Sequence, residues 1–205
     1  MIVLEETYGD CGASFHGVDF APKMISWCEG LKLPNVTKLE VQDACKMDKL
    51  KSNAYHHVIS TFCLEFVTDH VSAFKELFRV MKKGSKAYVL AWSGNTPFAP
   101  VQEIAKKIAP ENPRSSMGYN KPILSNKEYF KDVVTKAGFP NFTIDEVDVE
   151  YQGTFDAWYT LIEPEIVKHL TLENVEGLKK VARDTINELF GIDMESLLKS
   201  VRVGY

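Results

Sequence analysis

Three acidic residues, Asp19, Asp43 and Glu65, follow apolar stretches that are typical of buried β-strands. Asp19 ends the run Phe15–Asp19, and Pro22 then stands where the first turn of a helix tolerates a missing N–H. In an open α/β sheet, ligands bind outside the carboxyl ends of the strands, where a carboxylate can accept hydrogen bonds from both hydroxyls of a ribose. Asp19 is therefore the first candidate for ligand contact. An Asp before a helix also caps it well without any ligand, and the residues alone leave both interpretations open.

Strand-like and helix-like apolar patterns alternate along the chain, which predicts right-handed crossovers and a parallel sheet with helices on both faces. We predict strands at Phe15–Asp19, Thr37–Val41, His57–Leu64, Ala87–Trp92, Phe142–Tyr151 and Leu197–Val203, and helices at Pro22–Leu33, Asp69–Met81, Val101–Ile108, Lys127–Ala137, Phe155–His169 and Leu172–Phe190.

The apolar content of these elements predicts which of them are buried. The run His57–Leu64 is apolar enough for a strand covered on both faces. Met24, Trp27 and the Phe-rich stripe of Asp69–Met81 recur at helical spacing and are expected in the core. The sequence Lys82-Lys83-Gly84 is typical of a helix that ends in cations and a C-terminal glycine.

Two stretches, Ser93–Leu124 and Phe155–Phe190, interrupt the alternation of predicted strands and helices. We expect them to form a lid or substrate cover on a single domain of residues 1–205. Four aromatic residues near or within them are candidate substrate contacts, because such rings pack on apolar ligands: Trp92, Tyr119, Trp158 and Tyr159. The alternative is that these rings are core, with Trp158 anchoring its helix.

Composition narrows the class of partner. The net charge is −4 and the pI is about 5.8, with Lys and Arg scattered, which argues against a nucleic-acid-binding surface. No signal peptide or membrane-spanning stretch is evident, so we expect a cytoplasmic protein with a small-molecule partner. The five histidines never fall at a metal-ligand spacing with one another or with cysteine, which predicts no metal site.

Five motifs in order resemble those of the class I S-adenosylmethionine-dependent methyltransferases, and most closely the small-molecule enzymes of ubiquinone and menaquinone biosynthesis. The likeness runs from Gly12 onward and implies a Rossmann-like methyltransferase fold. The motifs are His16-Gly-Val-Asp19-Phe-Ala-Pro-Lys-Met24, Gln42-Asp43-Ala44, Ser60-Thr61-Phe-Cys-Leu-Glu65-Phe66-Val67, Phe78-Arg-Val-Met-Lys-Lys-Gly84 with Ala87-Tyr-Val-Leu-Ala-Trp92, and Lys136-Ala-Gly-Phe139.

The resemblance also implies roles for individual residues. It implies that S-adenosylmethionine is the cofactor and that Asp19 holds its ribose, with Asp43 at the adenine amino group and the backbone after it at a ring nitrogen. The third strand tip would lie near the methionine part and the methyl acceptor, with Glu65 as acid/base or cofactor contact; a solvated carboxylate is the alternative. Cofactor contacts are then expected from Asp19, Phe20, Met24, Asp43, Ala44, Thr61 and Phe62.

The chain departs from this family before its second strand. A first strand, a Gly-x-Gly-x-Gly turn and a full helix are expected there, but only Met1–Ser14 is available, too short for the crossover between parallel strands. We therefore expect an N-terminally truncated fold in which cofactor binding is weak or lost, because glycines let backbone N–H groups approach the cofactor closely.

Several functions remain open at this point. Methyl transfer to a small organic molecule leads; the alternatives are a cyclase or isomerase built on the acceptor pocket, or a non-catalytic subunit that stabilises an active relative. A nicotinamide-dependent oxidoreductase would also use Asp19 for ribose, yet it needs the missing glycine turn. Because a lost strand and helix would uncover apolar surface, we expect a homodimer or another partner subunit.

Overall fold

A computed structural model describes residues 12–92, 99–112, 124, 126–149, 154–170, 176–190 and 201–204 of the chain. The chain divides into two compact units, and the boundary between them crosses two of the strands. The first unit comprises Met1–Ile59, Phe66–Tyr88 and Val133–Pro140, and the second comprises Ser60–Glu65, Val89–Asp132 and Asn141–Tyr205.

The first unit begins with a parallel pair of strands, β1 (Phe15–Asp19) and β2 (Val36–Val41), joined by helix α1 (Pro22–Gly30). Pro22 begins α1, as its fixed φ favours, and the helix ends at Gly30 rather than at Leu33. A Cβ at Gly17 would lie 2.6 Å from Cδ2 of Leu39, so a glycine allows the two strands to approach each other here.

The chain continues through β3 (Tyr55–Thr61), helix α2 (His70–Val80) and β4 (Met81–Trp92). Asp69 caps α2 by accepting a hydrogen bond of 3.0 Å from the Ser72 N–H. The strands β3 and β4 are neighbours. Their hydrogen bonds advance together along both chains, as in a parallel pair: the N–H of Ala54 donates to Val80 O at 2.8 Å, and that of Phe62 donates to Leu90 O at 2.9 Å.

Aliphatic and aromatic side chains of α2 form the core of the first unit together with helix α4 (Lys127–Lys136), which contributes its last turn. Phe139, just after α4, meets the rings of Phe74 and Phe78 edge to face, with centroids 6.4 and 5.1 Å apart. The buried members are Ala73, Phe74, Leu77, Val80, Val133, Val134 and Ala137.

The second unit contains the end of β4, followed in the sheet by β6 (Val201–Gly204) and β5 (Glu146–Val149). Both of these pairings are antiparallel. The predicted last strand therefore exists. The described strands form two sheets: the parallel pair β1–β2, and a mixed four-stranded sheet in the order β3–β4–β6–β5. This is the Rossmann-like α/β arrangement that the motifs predict.

Three helices pack together in the second unit: α3 (Ala99–Ile108), α5 (Phe155–Leu170) and α6 (Leu178–Phe190). The helix α5 runs through Pro164 without ending. The three helices share one continuous buried cluster, whose members are Val101, Ile104, Ala105, Phe155, Trp158, Tyr159, Ile162, Ile166, Leu170, Leu178, Ala182 and Ile186. The two stretches predicted as a cover thus contribute helices with a core of their own.

Three expectations about burial and boundaries are wrong. β3 is largely exposed, with Ile59 at 55%, because among the described strands it has a neighbour on one side only. Met24 and Trp27 are exposed, since α1 buries only Ile25, and Phe78 of the expected Phe-rich stripe is 43% exposed on α2. Gly84, with φ of 80°, lies inside β4 instead of capping α2.

The end of α2 needs no glycine because backbone N–H groups of the two residues before β3 satisfy its last carbonyls. The N–H groups of Asn53 and Ala54 donate to the carbonyl oxygens of Arg79 and Val80. Met81 then adopts an extended conformation, so β4 follows the helix directly. In the part of the chain that the structure describes, no helix has the length and apolar character needed to cross a membrane.

Candidate functional site

The carboxyl ends of β1 and β2 bring two of the predicted acidic residues to the same end of one parallel pair. Asp19 pairs with Val41, and the Gln42 N–H donates a hydrogen bond of 3.0 Å to the Asp19 carbonyl oxygen. Asp43 follows directly, so both acidic residues belong to one strand edge of the first unit. This is the edge at which open α/β sheets bind ligands.

The Asp19 side chain also organises the turn into α1. Its Oδ1 accepts a hydrogen bond of 2.8 Å from the Ala21 N–H, and Ala21, the N-cap residue, offers no side-chain cap of its own. The cap interpretation and the ligand interpretation of Asp19 are therefore compatible, because one oxygen makes the turn bond. Phe20 is 68% exposed beside this carboxylate, and Met24 lies exposed one helical turn further along.

Asp43 opens a tight turn at the end of β2. Its Oδ1 accepts a hydrogen bond of 2.8 Å from the Cys45 N–H, and its carbonyl oxygen accepts one of 2.9 Å from the Lys46 N–H. The Asp43 side chain is exposed and Ala44 is half-buried. The turn therefore presents a carboxylate and neighbouring backbone at the surface of the first unit.

Gln42 is a buried polar residue between the two acidic positions. Its Oε1 accepts a hydrogen bond of 3.1 Å from the Lys49 N–H, while its Nε2 is buried and has no hydrogen-bond partner within the described ranges. Gln42 belongs to the motif Gln42-Asp43-Ala44, which assigns no role to its side chain. The hydrogen bond from the Lys49 N–H ties Gln42 to the loop that follows Asp43.

In the second unit, the tip of β3 carries a strained aromatic residue. Phe62 has a φ of 52°, a left-handed conformation that costs a bulky side chain roughly 1–3 kcal/mol. Its ring stacks on that of Trp92, with centroids 4.2 Å apart and planes 19° from parallel. Thr61, just before it, is exposed. Backbone strain of this kind is frequent at ligand sites.

Glu65 lies in a short 3₁₀ turn, Leu64–Phe66, and its Oε1 accepts a hydrogen bond from the Trp92 N–H. Burial raises the pKa of the Glu65 carboxyl, and the hydrogen bond from Trp92 opposes this rise. Phe62, Glu65 and Trp92 therefore form one connected group. A half-buried carboxylate with a raised pKa has the properties of a general acid or base.

The remaining predicted contacts lie elsewhere. Trp158 and Tyr159 are buried in the helical core of α3, α5 and α6, and the Tyr159 hydroxyl donates to Glu163 Oε1 at 2.8 Å. Burial and that hydrogen bond raise the pKa of Tyr159. Their burial favours the core interpretation, and their role as pocket walls stays a prediction. Tyr119 lies outside the described residues. Where the structure is described, no three His, Cys, Asp or Glu side chains are grouped as a metal site requires.

Two polar clusters of the first unit were missed. His16 contacts the Tyr55 hydroxyl through Nδ1 at 2.5 Å and Glu40 Oε2 through Nε2 at 2.8 Å. Glu76 and Arg79 form an ion pair on α2 that reaches the loop after Asp43. The spacing of an acid and a base three residues apart signals the second pair, but no sequence pattern indicates which loop it contacts.

Comparison with known proteins agrees with this architecture. Residues 3–89 match the model of a family described as a methyltransferase domain. No curated protein matches the sequence. Among solved structures, the chain is similar to the YcgJ protein of Bacillus subtilis, with 17% identity and a TM-score of 0.53, over 93% of this chain and 81% of that one.

Two further solved structures share the fold. A phosphoethanolamine N-methyltransferase 2 of Haemonchus contortus, solved with phosphomonomethylethanolamine and S-adenosylhomocysteine, is 18% identical, with a TM-score of 0.54 over 98% of this chain and 44% of that one. The cyclase SpnF is 13% identical, with a TM-score of 0.50 over 99% and 69%.

The fold class and the family resemblance predicted from the motifs are confirmed by these matches. The N-terminal segment before β1 lies largely outside the described residues, so the expected truncation stays a prediction. Residues 3–89 therefore resemble a methyltransferase domain, and the chain shares the fold of a solved N-methyltransferase.

Proposed function

We propose that the chain binds S-adenosylmethionine and transfers its methyl group to a small organic molecule. One observation carries the proposal: Asp19 and Asp43 stand at the adjoining carboxyl ends of a parallel strand pair, within the residues that match a methyltransferase domain. That placement supports adenosine recognition, because ligands of α/β folds bind at this edge.

The residues of this edge fit an adenosyl cofactor chemically. Carboxylates accept hydrogen bonds, and the ribose hydroxyls and the adenine amino group are donors. We assign the ribose to Asp19 and the adenine to Asp43 with the Ala44 backbone. Phe20 offers exposed apolar surface beside Asp19, against which a base can pack, and Met24 extends it. Acidic side chains also suit a positively charged sulfonium.

When bound, the cofactor supplies an electrophilic methyl group, so this chain's own task is to orient the acceptor and to exclude water. Correct orientation alone can contribute up to about 7–11 kcal/mol. We assign Thr61 and Phe62 to cofactor contact, and Glu65 to acid/base chemistry or cofactor contact. The raised pKa of the Glu65 carboxyl supports the acid/base role, and the hydrogen bond from the Trp92 N–H fixes the position of the carboxylate.

The acceptor side is proposed from the stretches Ser93–Leu124 and Phe155–Phe190, which carry the candidate walls. Trp92 and Tyr119 are the first candidates for contact with the acceptor. Trp158 and Tyr159 are weaker ones, since both are buried in the helical core. Loops and helices that follow a cofactor-binding sheet commonly carry specificity, which supports this division of roles.

A homodimer is proposed as the assembly. Trp27 is 57% exposed on α1 and Phe66 is 72% exposed, and exposed aromatic residues of this size are frequent in interfaces. The second copy is the simplest partner for such a surface.

A titration of the ¹⁵N-labelled chain with S-adenosylmethionine and S-adenosylhomocysteine, followed by NMR, tests the cofactor assignment. We expect weak, saturable binding that Asp19→Asn and Asp43→Asn each weaken further. The matched control is Asp184→Asn, which alters an exposed aspartate on α6. Absence of binding, or equal binding by all variants, contradicts the proposal. Submicromolar binding contradicts only the expectation of a weak site.

A second candidate function is a methyltransferase fold without methylation, either a cyclase or isomerase or a non-catalytic partner subunit. The shared fold with the cyclase SpnF motivates it. Incubation with labelled S-adenosylmethionine and a panel of small acceptors separates the functions. Label transfer supports methylation, and cofactor binding without transfer to any acceptor supports the second candidate.

A further inference from the structure

An ion pair on α2 reaches beyond its own helix. Glu76 and Arg79 are three residues apart, and Arg79 Nε donates to Glu76 Oε1 at 2.7 Å. Arg79 Nη2 donates to the other oxygen, Oε2, at 2.8 Å, so the contact is bidentate. Such a contact fixes the plane of the guanidinium more firmly than a single bond does.

The rest of the guanidinium binds the loop that Asp43 begins, residues 43–52, which we call the Asp43 loop. Arg79 Nη1 donates to Leu50 O at 2.8 Å and to Ser52 Oγ at 3.1 Å. Arg79 Nη2 donates to Met47 O at 2.9 Å. Each nitrogen of the guanidinium is therefore used, and two of them hold loop oxygens.

Glu76 also binds the Asp43 loop, but as a hydrogen-bond acceptor. Its Oε2 accepts a hydrogen bond of 2.7 Å from the Met47 N–H. The carbonyl oxygen of the same residue accepts the hydrogen bond from Arg79 Nη2. The hydrogen bond to Arg79 lowers the pKa of Glu76, against the opposing effect of burial. Glu76 thus stays ionised at neutral pH and keeps both contacts.

Most of the other hydrogen bonds of the Asp43 loop join residues within the loop itself. Its polar side chains are exposed, and only Met47 and Leu50 are buried. Within the loop, the Cys45 and Lys46 N–H groups donate to Asp43 and the Leu50 N–H donates to Met47 O. Outside the loop, the Lys49 N–H donates to Gln42 and Cys45 Sγ donates to Asp69 O. An exposed loop without such ties samples many backbone conformations, and each ordered residue costs roughly 1–2 kcal/mol of conformational entropy.

We propose that Arg79, oriented by Glu76, is a positioning residue that holds the Asp43 loop in the conformation that binds the adenine end of the cofactor. The inference rests on the proposed function, since Asp43 and Ala44 are its adenine contacts. Arg79 acts through the loop and needs no contact with the ligand itself.

Arginine is required for this arrangement because its nitrogens form a planar fork. A lysine carries one nitrogen, which cannot reach Glu76, Met47 O and Leu50 O together. A matched pair elsewhere provides the control: Glu103 and Lys106 on α3 have the same spacing and a distance of 2.8 Å, with both side chains more exposed.

The experiment compares Arg79→Lys, Arg79→Met and Glu76→Gln with the control Lys106→Met in the full chain. Two quantities are measured by NMR: hydrogen exchange of the amides of the Asp43 loop without ligand, and the Kd for S-adenosylhomocysteine. A residue needed only for folding lowers the number of binding sites and leaves the Kd of the folded molecules unchanged.

In the Arg79 variants we expect faster hydrogen exchange at the Met47 and Leu50 amides. We also expect their Kd for S-adenosylhomocysteine to be about tenfold higher or more. Lys106→Met leaves both quantities unchanged, and Glu76→Gln has a smaller effect in the same direction. If Arg79→Met does not fold, Arg79→Lys decides alone. An unchanged Kd in a folded Arg79 variant overturns this inference only. No ligand binding by the unaltered chain overturns the proposed function and this inference with it.

Discussion

The backbone N–H of Gln42 donates a hydrogen bond of 3.0 Å to the carbonyl oxygen of Asp19. This bond lies beyond the last paired residue of β2 and ties the residue just before the Asp43 loop to the end of β1. The main chain therefore sets the spacing of the two acidic residues, and their side chains, which accept hydrogen bonds from the turns that follow, take no part in it. Substitutions of either carboxylate should leave the strand pair intact.

The two roles of Asp19 can be separated by substitution. Asp19→Asn keeps an oxygen that can accept the Ala21 N–H, whereas Asp19→Ala removes it. We expect both variants to weaken S-adenosylhomocysteine binding, but only Asp19→Ala to lose about 1 kcal/mol in the free energy of unfolding. Denaturant unfolding and the NMR titration measure the two effects. An Asn variant that binds like the unaltered chain would leave Asp19 with the turn role alone.

Glu65 should make stability depend on pH. Its pKa in the folded protein is raised above the ordinary value of 4.5, mainly by burial. Protonated Glu65 therefore favours folding; this contribution is complete below the ordinary value and is lost as pH rises through the folded pKa. Glu65→Gln is permanently neutral and does not lose this contribution. The Tm of Glu65→Gln minus the Tm of the unaltered chain should therefore increase as pH rises from about 4 to about 8.

The control for this prediction is Glu111→Gln, at an exposed glutamate of the same unit. Its Tm should stay parallel to that of the unaltered chain across the same range. A Glu65→Gln curve that is also parallel would show that burial does not disfavour the ionised carboxyl. Methyl transfer measured in parallel then tests Glu65 as acid or base, because Gln cannot exchange a proton there.

Much of the fold was predictable from local patterns. Pro22 marks the start of α1, and Asp69 caps α2 as its residue type favours. Polar residues after apolar runs mark the ends of β1 and β2, and thus place Asp19 and Asp43 at the same end of the strand pair. These features depend on a few neighbouring residues, so the sequence contains the information that specifies them.

Burial and long-range contacts were less predictable. Trp27 has the spacing of a core residue but is exposed, because periodicity gives the face of a helix and not what covers that face. Gly84 has the sequence context of a helix cap, yet Asn53 and Ala54 satisfy the end of α2 from a distant segment. The Arg79 contacts with the Asp43 loop depend on the same tertiary pairing, which no local pattern indicates.

Trp158 and Tyr119 should respond differently to substitution by alanine. Trp158 is 2% exposed in the helical core, so Trp158→Ala should cost about 3–5 kcal/mol in the free energy of unfolding. Tyr119→Ala should keep stability and reduce methyl transfer if Tyr119 is an acceptor wall. Melting temperature and product formation are both measured. Unchanged stability in Trp158→Ala, or unchanged activity in both variants, would contradict these assignments.

Trp27 should decide whether two copies associate. Its ring is 57% exposed on α1, where it offers a large apolar surface to a second copy, and a lysine there would place a charge in the interface. We expect sedimentation velocity to show a dimer of the unaltered chain that Trp27→Lys converts to a monomer with the same melting temperature. Leu189→Lys is the matched control, since Leu189 is also exposed, at 48%, but lies on α6. A dimer that survives Trp27→Lys would place the interface elsewhere, and a monomer of the unaltered chain at all concentrations would rule out the assembly.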